Sequence, residues 1–270
     1  MQSAPYIHGT SPEEHARLGL MNRLLNTREL DAIGLQGDER VLELGAGTGL
    51  FARALAERLP RGRLLALELD ARQLDAARAN TAGLANLELR QGDVCAPPLD
   101  AAEWGSFDLV HARFLLEHLS APASAVRVMA RAVRPGGRVL LVDDDHDTLR
   151  LWPSAPAFER LWRAYCEQYT LRGTDPWIGR RLTGLLAEAG LRPVDATLLF
   201  FGACAGMELF PLVLANMLGV VAGAAGDIAR AGTLPETQIR AGLHELEAWS
   251  ARPDAALWYA VPYAAALRPA

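Results

Sequence analysis

The sequence has no cluster of basic residues, no closely spaced cysteine pair, no low-complexity tract and no internal repeat. Each absence closes a class of function. With a net charge of -5 over 270 residues, no basic surface is left to displace counterions from a phosphate backbone, which excludes nucleic acid as a partner. Cys95, Cys166 and Cys204 are odd in number, far apart and in neither a CxxC nor a metal-ligand spacing, so they are expected as thiols in a reducing compartment, with no disulfide. The first residues, Met1 to Tyr6, lack the basic start and apolar run of a secretory signal, and cytoplasm is the expected location. The stretch Leu209 to Gly226 carries no charge and reaches the length at which a membrane span becomes thinkable. Pro211, Asn216, Gly219, Gly223 and Gly226 dilute it, so a buried or substrate-covering helix is expected there and no membrane partner.

Half of the residues are apolar and 22% are charged, enough for one large core with an insertion and too little polar tract for a disordered chain. Residues 40 to 142 alternate short apolar runs with helical periodicity, the signature of βαβ units in a parallel sheet. The strands are predicted at Arg40–Leu44, Leu64–Glu68, Leu87–Gln91, Phe107–His111 and Arg138–Asp143. Phe51, Leu55 and Leu59 recur at four-residue steps, and Val126, Met129, Ala130 and Val133 trace one helical face that would pack on the sheet. Arg134-Pro135-Gly136-Gly137 ends that helix and turns into the fifth strand. Further on, helices are predicted from Trp152 to Tyr169 and Gly179 to Ala189, a strand from Leu191 to Phe201, an apolar helical insertion over 203–250, and a last strand from Ala256 to Leu267.

Glu43-Leu44-Gly45-Ala46-Gly47-Thr48-Gly49 closes the first strand with three glycines spaced two apart and opens a helix at Leu50. A dinucleotide fingerprint needs its third glycine five positions after the first, where this chain has Leu50. Glycine at 49 instead lets the loop lie flat against a cofactor that has no bridging phosphate, since a residue without Cβ tolerates positive φ and close approach.

This run resembles motif I of the class I S-adenosylmethionine-dependent methyltransferases, and the other stations follow in order. Leu65-Ala66-Leu67-Glu68-Leu69-Asp70 is similar to the second strand, whose terminal acid holds the ribose hydroxyls; Glu68 takes that role, with Asp70 as its competitor, because one carboxylate accepts from two vicinal hydroxyls. Gly92-Asp93-Val94 resembles the adenine turn, with Asp93 accepting from the exocyclic amine and Val94 beside the ring. Phe107 to Arg113 resembles the fourth strand and its exit, where a backbone carbonyl at His111 or Ala112 meets the methionine amine. Arg134 to Val142 matches the family's turn and fifth strand. The N-terminal segment, with Tyr6 and Arg17, looks like the leader of bacterial small-molecule methyltransferases that folds across the cofactor; Arg17 either pairs with the methionine carboxylate or is an ordinary solvated charge.

The resemblance implies an α/β, Rossmann-like, doubly wound and mostly parallel seven-stranded sheet: a helical leader over 1–34, a cofactor domain over 35–202 and 251–270, and a helical lid over 203–250. It implies S-adenosylmethionine held by Tyr6, Arg17, Glu43, Gly45, Ala46, Gly47, Glu68, Leu69, Asp93, Val94, His111 and Ala112, a small-molecule methyl acceptor, and a possible homodimer. For a general base the choice is His146, beyond the fifth strand in Asp143-Asp144-Asp145-His146-Asp147, where neighbouring acids raise its proton affinity. His111 is second, and His118 packs or caps. Phe158, Trp162, Tyr165, Tyr169, Trp177, Phe200 and Phe201 are split between an apolar pocket wall and plain core. No metal is expected, because consecutive acids on a strand point to alternating faces. Two other readings stay open: the same fold used for a cyclisation or rearrangement, and cofactor binding without catalysis.

Overall fold

The computed structural model describes residues 26–270. The leucine- and valine-rich runs form β1 (Arg40–Leu44), β2 (Arg63–Glu68), β3 (Leu87–Gln91), β4 (Phe107–Arg113) and β5 (Val133–Val142), all parallel, in the order β3-β2-β1-β4-β5. Both faces of the sheet are covered at its centre, which is why β1, β2, β4 and β5 are largely apolar at successive positions, while edge strand β3 alternates as LELRQ. Val41, Leu64, Ala66, Leu140 and Val142 enter one core, and Leu42, Leu65, Leu67 and Leu141 enter the other.

The first core is closed by α1 (described over 26–33), α2 (Leu50–Glu57), α5 (Pro156–Leu171), α7 (Phe210–Ala231) and α8 (Glu236–Ser250). The second is closed by α4 (Pro122–Ala132) and α6 (Leu182–Glu188), while α3 (Ala71–Asn80) links β2 to β3. This is the expected doubly wound α/β architecture.

The sheet has eight strands where seven are predicted. β8 (Ala256–Leu267) runs antiparallel and is 12 residues long, but β5 pairs only with its second half, at Tyr263 to Leu267. A short β6 (Arg150–Trp152) takes the empty edge beside Ala256 to Trp258, where the sequence pattern suggests the start of a helix. That helix, α5, starts four residues later, with Pro156 in its first turn, since Pro153 keeps Trp152 out of helical geometry. β7 (Arg192–Cys204) pairs along the other edge of β8 and continues three residues past the predicted end. The insertion between these two strands is therefore 205–255.

In that insertion α7 is long and apolar enough to cross a membrane. Val213, Met217, Val221, Ala224 and Ile228 are buried on one of its sides, in the core shared with α5 and α8. α8 also completes α5. Ala155, at the start of α5, offers no side-chain cap, and the Glu245 carboxylate reaches across to accept from the Ala157 and Phe158 N–H groups at 2.6 and 2.8 Å. A carboxylate there satisfies orphan donors and complements the helix dipole. Glu245→Ala is expected to cost about 1–2 kcal/mol, the scale of a lost cap, measured as a lowered midpoint in chemical denaturation.

Candidate active site

Beyond β1 the chain turns at Gly45, Gly47 and Gly49 with φ of 77°, 56° and 76°, all left-handed, a geometry that non-glycine residues enter only under strain. The three glycines do different work. A Cβ on Gly49 would lie 2.9 Å from the Cα and Cβ of Ala77, so its bareness lets α2 pack on α3 rather than flattening the loop against a ligand, which corrects the expected role of Gly49. A Cβ on Gly45 would meet Leu115 at 3.0 Å. Among the described residues, on Gly47 it would meet only the Gln73 side chain, at 3.6 Å.

Glu68 at the end of β2 fastens the loop: one oxygen accepts from the Gly47 N–H at 2.7 Å and the other from the Asp70 N–H at 2.9 Å. Each oxygen keeps further acceptor capacity. Burial raises its proton affinity, against those N–H donors. Asp70 does not compete for a ligand, because its carboxylate caps α3 through the Arg72 and Gln73 N–H groups. Glu43 is buried beneath the loop with Oε2 unpartnered, and the Gln73 Oε1 is likewise unpartnered. Burial pushes the Glu43 carboxyl up to about 8, opposed by Arg113 and reinforced by Glu29 and Glu68. Ala46 is buried beside Gly47, Leu69 stands exposed past β2, Val94 is buried, and exposed Asp93 accepts from the Cys95 N–H at 2.8 Å.

β4 runs to Arg113, two residues beyond its predicted end, so His111 and Ala112 both lie within the ladder, paired with Glu43 and Leu44 of β1. The His111 side chain is fully buried, with Nε2 at 2.8 Å from Glu29 of α1; the other Glu29 oxygen accepts from Arg113 at 2.8 Å. Arg113 stacks over Phe51 at 4.0 Å. This network ties α1 to the sheet, and neither Glu29 nor Arg113 was foreseen in it. Tyr6 and Arg17 lie outside the described residues.

Past β4, Phe114 adopts φ 49°, the one non-glycine residue at positive φ among those described. Asp143 holds the turn that follows by accepting from the Leu115 and Leu116 N–H groups at 3.1 and 2.7 Å. That turn presents Glu117 to His146. The imidazole Nε2 lies 3.2 Å from a Glu117 oxygen, Nδ1 lies 3.1 Å from the Tyr259 hydroxyl, and that hydroxyl donates to Asp144 at 2.8 Å. Trp162, Tyr165 and Tyr169 wall the ring at centroid distances of 5.2–5.5 Å among themselves and the imidazole. Burial alone would lower the proton affinity of His146, but the Glu117 hydrogen bond and the charges of Asp144, Glu117 and Asp145 outweigh it and raise the pKa above its ordinary 6.5. Glu117 moves the opposite way: burial opposes its charge, yet His118 and His146 hold it ionised.

The acids beyond β5 are not on a strand, as the sequence suggested, because the strand ends at Val142 and the chain turns. Asp143 holds the Leu115–Leu116 turn, Asp144 accepts from Tyr259, and Arg180 bridges Asp145, in a two-pronged contact at 2.7 and 2.5 Å, to Asp147 at 2.8 Å. Donor atoms of Glu117, Asp144 and His146 do converge within 4.8 Å. Here hydrogen bonds to one another and to Tyr259 join them. His118 stacks on Tyr169 at 5.7 Å, a packing role. Phe158 and Phe201 are core, Trp177 donates to Asp147, and Phe200 faces outward.

Residues 41–137 match the model of a family described as a methyltransferase domain. A ubiquinone biosynthesis O-methyltransferase of Alkalilimnicola ehrlichii is 31% identical over 144 residues, covering 53% of this chain and 55% of that one. A demethylmenaquinone methyltransferase of Staphylococcus epidermidis is 27% identical over 196 residues, covering 67% and 78%. The chain spans about half the length of the first curated relatives it matches. Among solved structures, one from Bacillus halodurans assigned as a methyltransferase superposes with a TM-score of 0.59 at 18% identity, covering 91% of this chain and 99% of that one, a likeness of fold.

Proposed function

We propose that this chain is a class I S-adenosylmethionine-dependent methyltransferase, a reading supported by the methyltransferase-domain match at 41–137 and the sheet order around it, and that it methylates an oxygen, nitrogen or carbon atom of a small organic molecule of secondary metabolism. The carrying observation is the glycine bend: open space among the described residues at the Gly47 Cβ position, the unpartnered Glu43 Oε2 beneath it, and Glu68 at the neighbouring strand tip. These fit a nucleoside that is cationic at one end. Glu68 would take the sugar hydroxyls, Asp93 and Val94 the base, and Gly45, Ala46, Leu69, His111 and Ala112 would line the cradle, with Glu43 toward the methionine amine. Tyr6 and Arg17 would close it from the N-terminal leader.

When bound, S-adenosylmethionine supplies a methyl group on a sulfonium, electrophilic enough that the protein needs no covalent intermediate. What this chain adds is position and dryness. Phe114 and the turn behind it bring Glu117 and His146 to the carboxyl edge of β4 and β5, where ligands of open α/β sheets bind. α7 and α8 pack on α5, whose Trp162, Tyr165 and Tyr169 wall the imidazole, and would back that wall as a lid. The proton leaving an oxygen or nitrogen acceptor would be taken by the neutral form of His146, formed when the resting ring gives up one proton to solvent and releases Tyr259 or Glu117. The acidic surface leaves nucleic acid without a docking face, and a cytoplasmic location accords with the free thiols.

Methyl-labelled cofactor with a panel of hydroxylated, amino and quinonoid acceptors tests this. Label is expected in an extractable small product. Turnover without label transfer would favour a cyclase or rearrangement, and absence of any binding to S-adenosylhomocysteine by calorimetry would refute the reading altogether.

A further inference from the structure

β7 and β8 overhang the sheet. α6 and the turn at Gly179 cover β8 from Pro262 to Ala266 on the face of the second core, but beyond that point the same face is left open. Along it stand Leu198 and Phe200 of β7, Trp258 of β8 and Trp152 of β6, exposed by 56%, 49%, 40% and 65%. They share a face by register, Leu198 opposite Pro262, Phe200 opposite Ala260, Gly202 opposite Trp258 and Trp152 opposite Ala256. They are also contiguous: the rings of Trp258 and Phe200 both close over bare Gly202, at 2.9 and 3.4 Å from where its Cβ would be.

β7 is at the same time an edge strand, paired only with β8 among the described residues. From Ala196 to Cys204 it carries neither charge nor proline, and the chain has no lysine anywhere, the residue that most often blunts such edges. An open row of backbone donors and acceptors beside an apolar ridge asks for another strand. We infer that two copies of this chain associate by antiparallel pairing of β7 with β7, which sets Leu198 and Phe200 of each copy beside those of the other and joins the two apolar ridges into one.

A second copy fits better than other occupants for three reasons. Antiparallel pairing of a strand with itself is self-complementary, as a two-fold dimer requires. It also brings the exposed Arg192 at the start of each β7 toward the exposed Glu208 just past the end of the other. Leu198 and Phe200 show roughly 200 Å² of apolar side chain on the paired strand itself, which cross-strand contact with the partner covers along with the strand edge. A lipid surface would cover the ridge but leave the edge backbone unsatisfied.

Light scattering on the eluting full-length protein at micromolar concentration tests this. Wild type is expected at twice 29.2 kDa and the Leu198→Glu/Phe200→Glu double variant at 29.2 kDa with an unchanged circular dichroism spectrum. Should the double variant misfold, Phe200→Ser alone, on the paired strand, is expected to weaken the dimer at least tenfold. Wild type monomeric throughout, a dimer that survives the folded double variant or is unmoved by Phe200→Ser, or wild type that is monomeric in buffer and sediments with phosphatidylcholine vesicles would each overturn the inference.

Discussion

Gly47→Val is expected to leave the chain folded and to weaken S-adenosylhomocysteine binding by about 100-fold or more, about 2.7 kcal/mol. The two halves of that expectation have separate causes. Among the described residues the new side chain meets little, since the nearest heavy atom to its Cβ is the Gln73 carboxamide oxygen at 3.6 Å. The cost to folding is then backbone strain at φ 56°, about 1–3 kcal/mol for a residue held in the left-handed region, which at about 2–4 °C per kcal/mol is visible in a melt without abolishing it. Toward the cradle, however, two methyl groups occupy the space above Glu43 and beside Glu68. Gly49→Val is the contrasting variant: its Cβ would sit 2.9 Å from the Ala77 backbone, so α2 and α3 must separate and stability falls along with binding. Calorimetry together with thermal denaturation of both variants distinguishes a cradle from a turn. Wild-type affinity in a folded Gly47→Val protein would remove the basis for placing the cofactor here.

The contrast between these two glycines marks how far the sequence could be read. A strand ending in alternate glycines is legible because both the apolar run and the positive-φ turn leave local signatures, and for the same reason β1, β3 and β8 fall where their residues predict. Whether a given glycine faces a ligand or a neighbouring helix depends on Ala77, nearly thirty residues away, and no local pattern carries that. β6 was hidden similarly. Three residues are too few for periodicity, and Arg150–Trp152 becomes a strand only because β8 outruns β5 and leaves an edge unfilled. At the candidate base, the sequence showed a histidine among acids and hence a raised proton affinity. It did not show that Glu117 and Tyr259, from β4's exit and from β8, are the groups that occupy its two nitrogens. One signal was available, Glu117 in the apolar setting of Leu115, Leu116 and Leu119, since a charge amid leucines needs a buried partner.

Those two partners make the base testable by pH as well as by rate. With both ring nitrogens engaged by acceptors, the resting imidazole keeps its proton, in agreement with a pKa raised above the ordinary 6.5. A base must be unprotonated to act, so the methyl-transfer rate on an oxygen or nitrogen acceptor is expected to rise with pH through the raised value and level off above it. The titration belongs to the Glu117–His146 pair as a unit. Glu117→Gln removes the charge and hydrogen bond that outweigh burial, leaving desolvation in command, so the rising limb is expected to move toward acid even if the plateau rate falls. His146→Ala is expected to lower the plateau by about 10²–10⁴-fold, with cofactor affinity unchanged because the glycine bend is separate from the cluster. A merely structural cluster gives a different result: both variants would lose stability and rate together with no displacement of the pH limb. That outcome, or a full wild-type rate in folded His146→Ala, would leave positioning alone as the catalytic device.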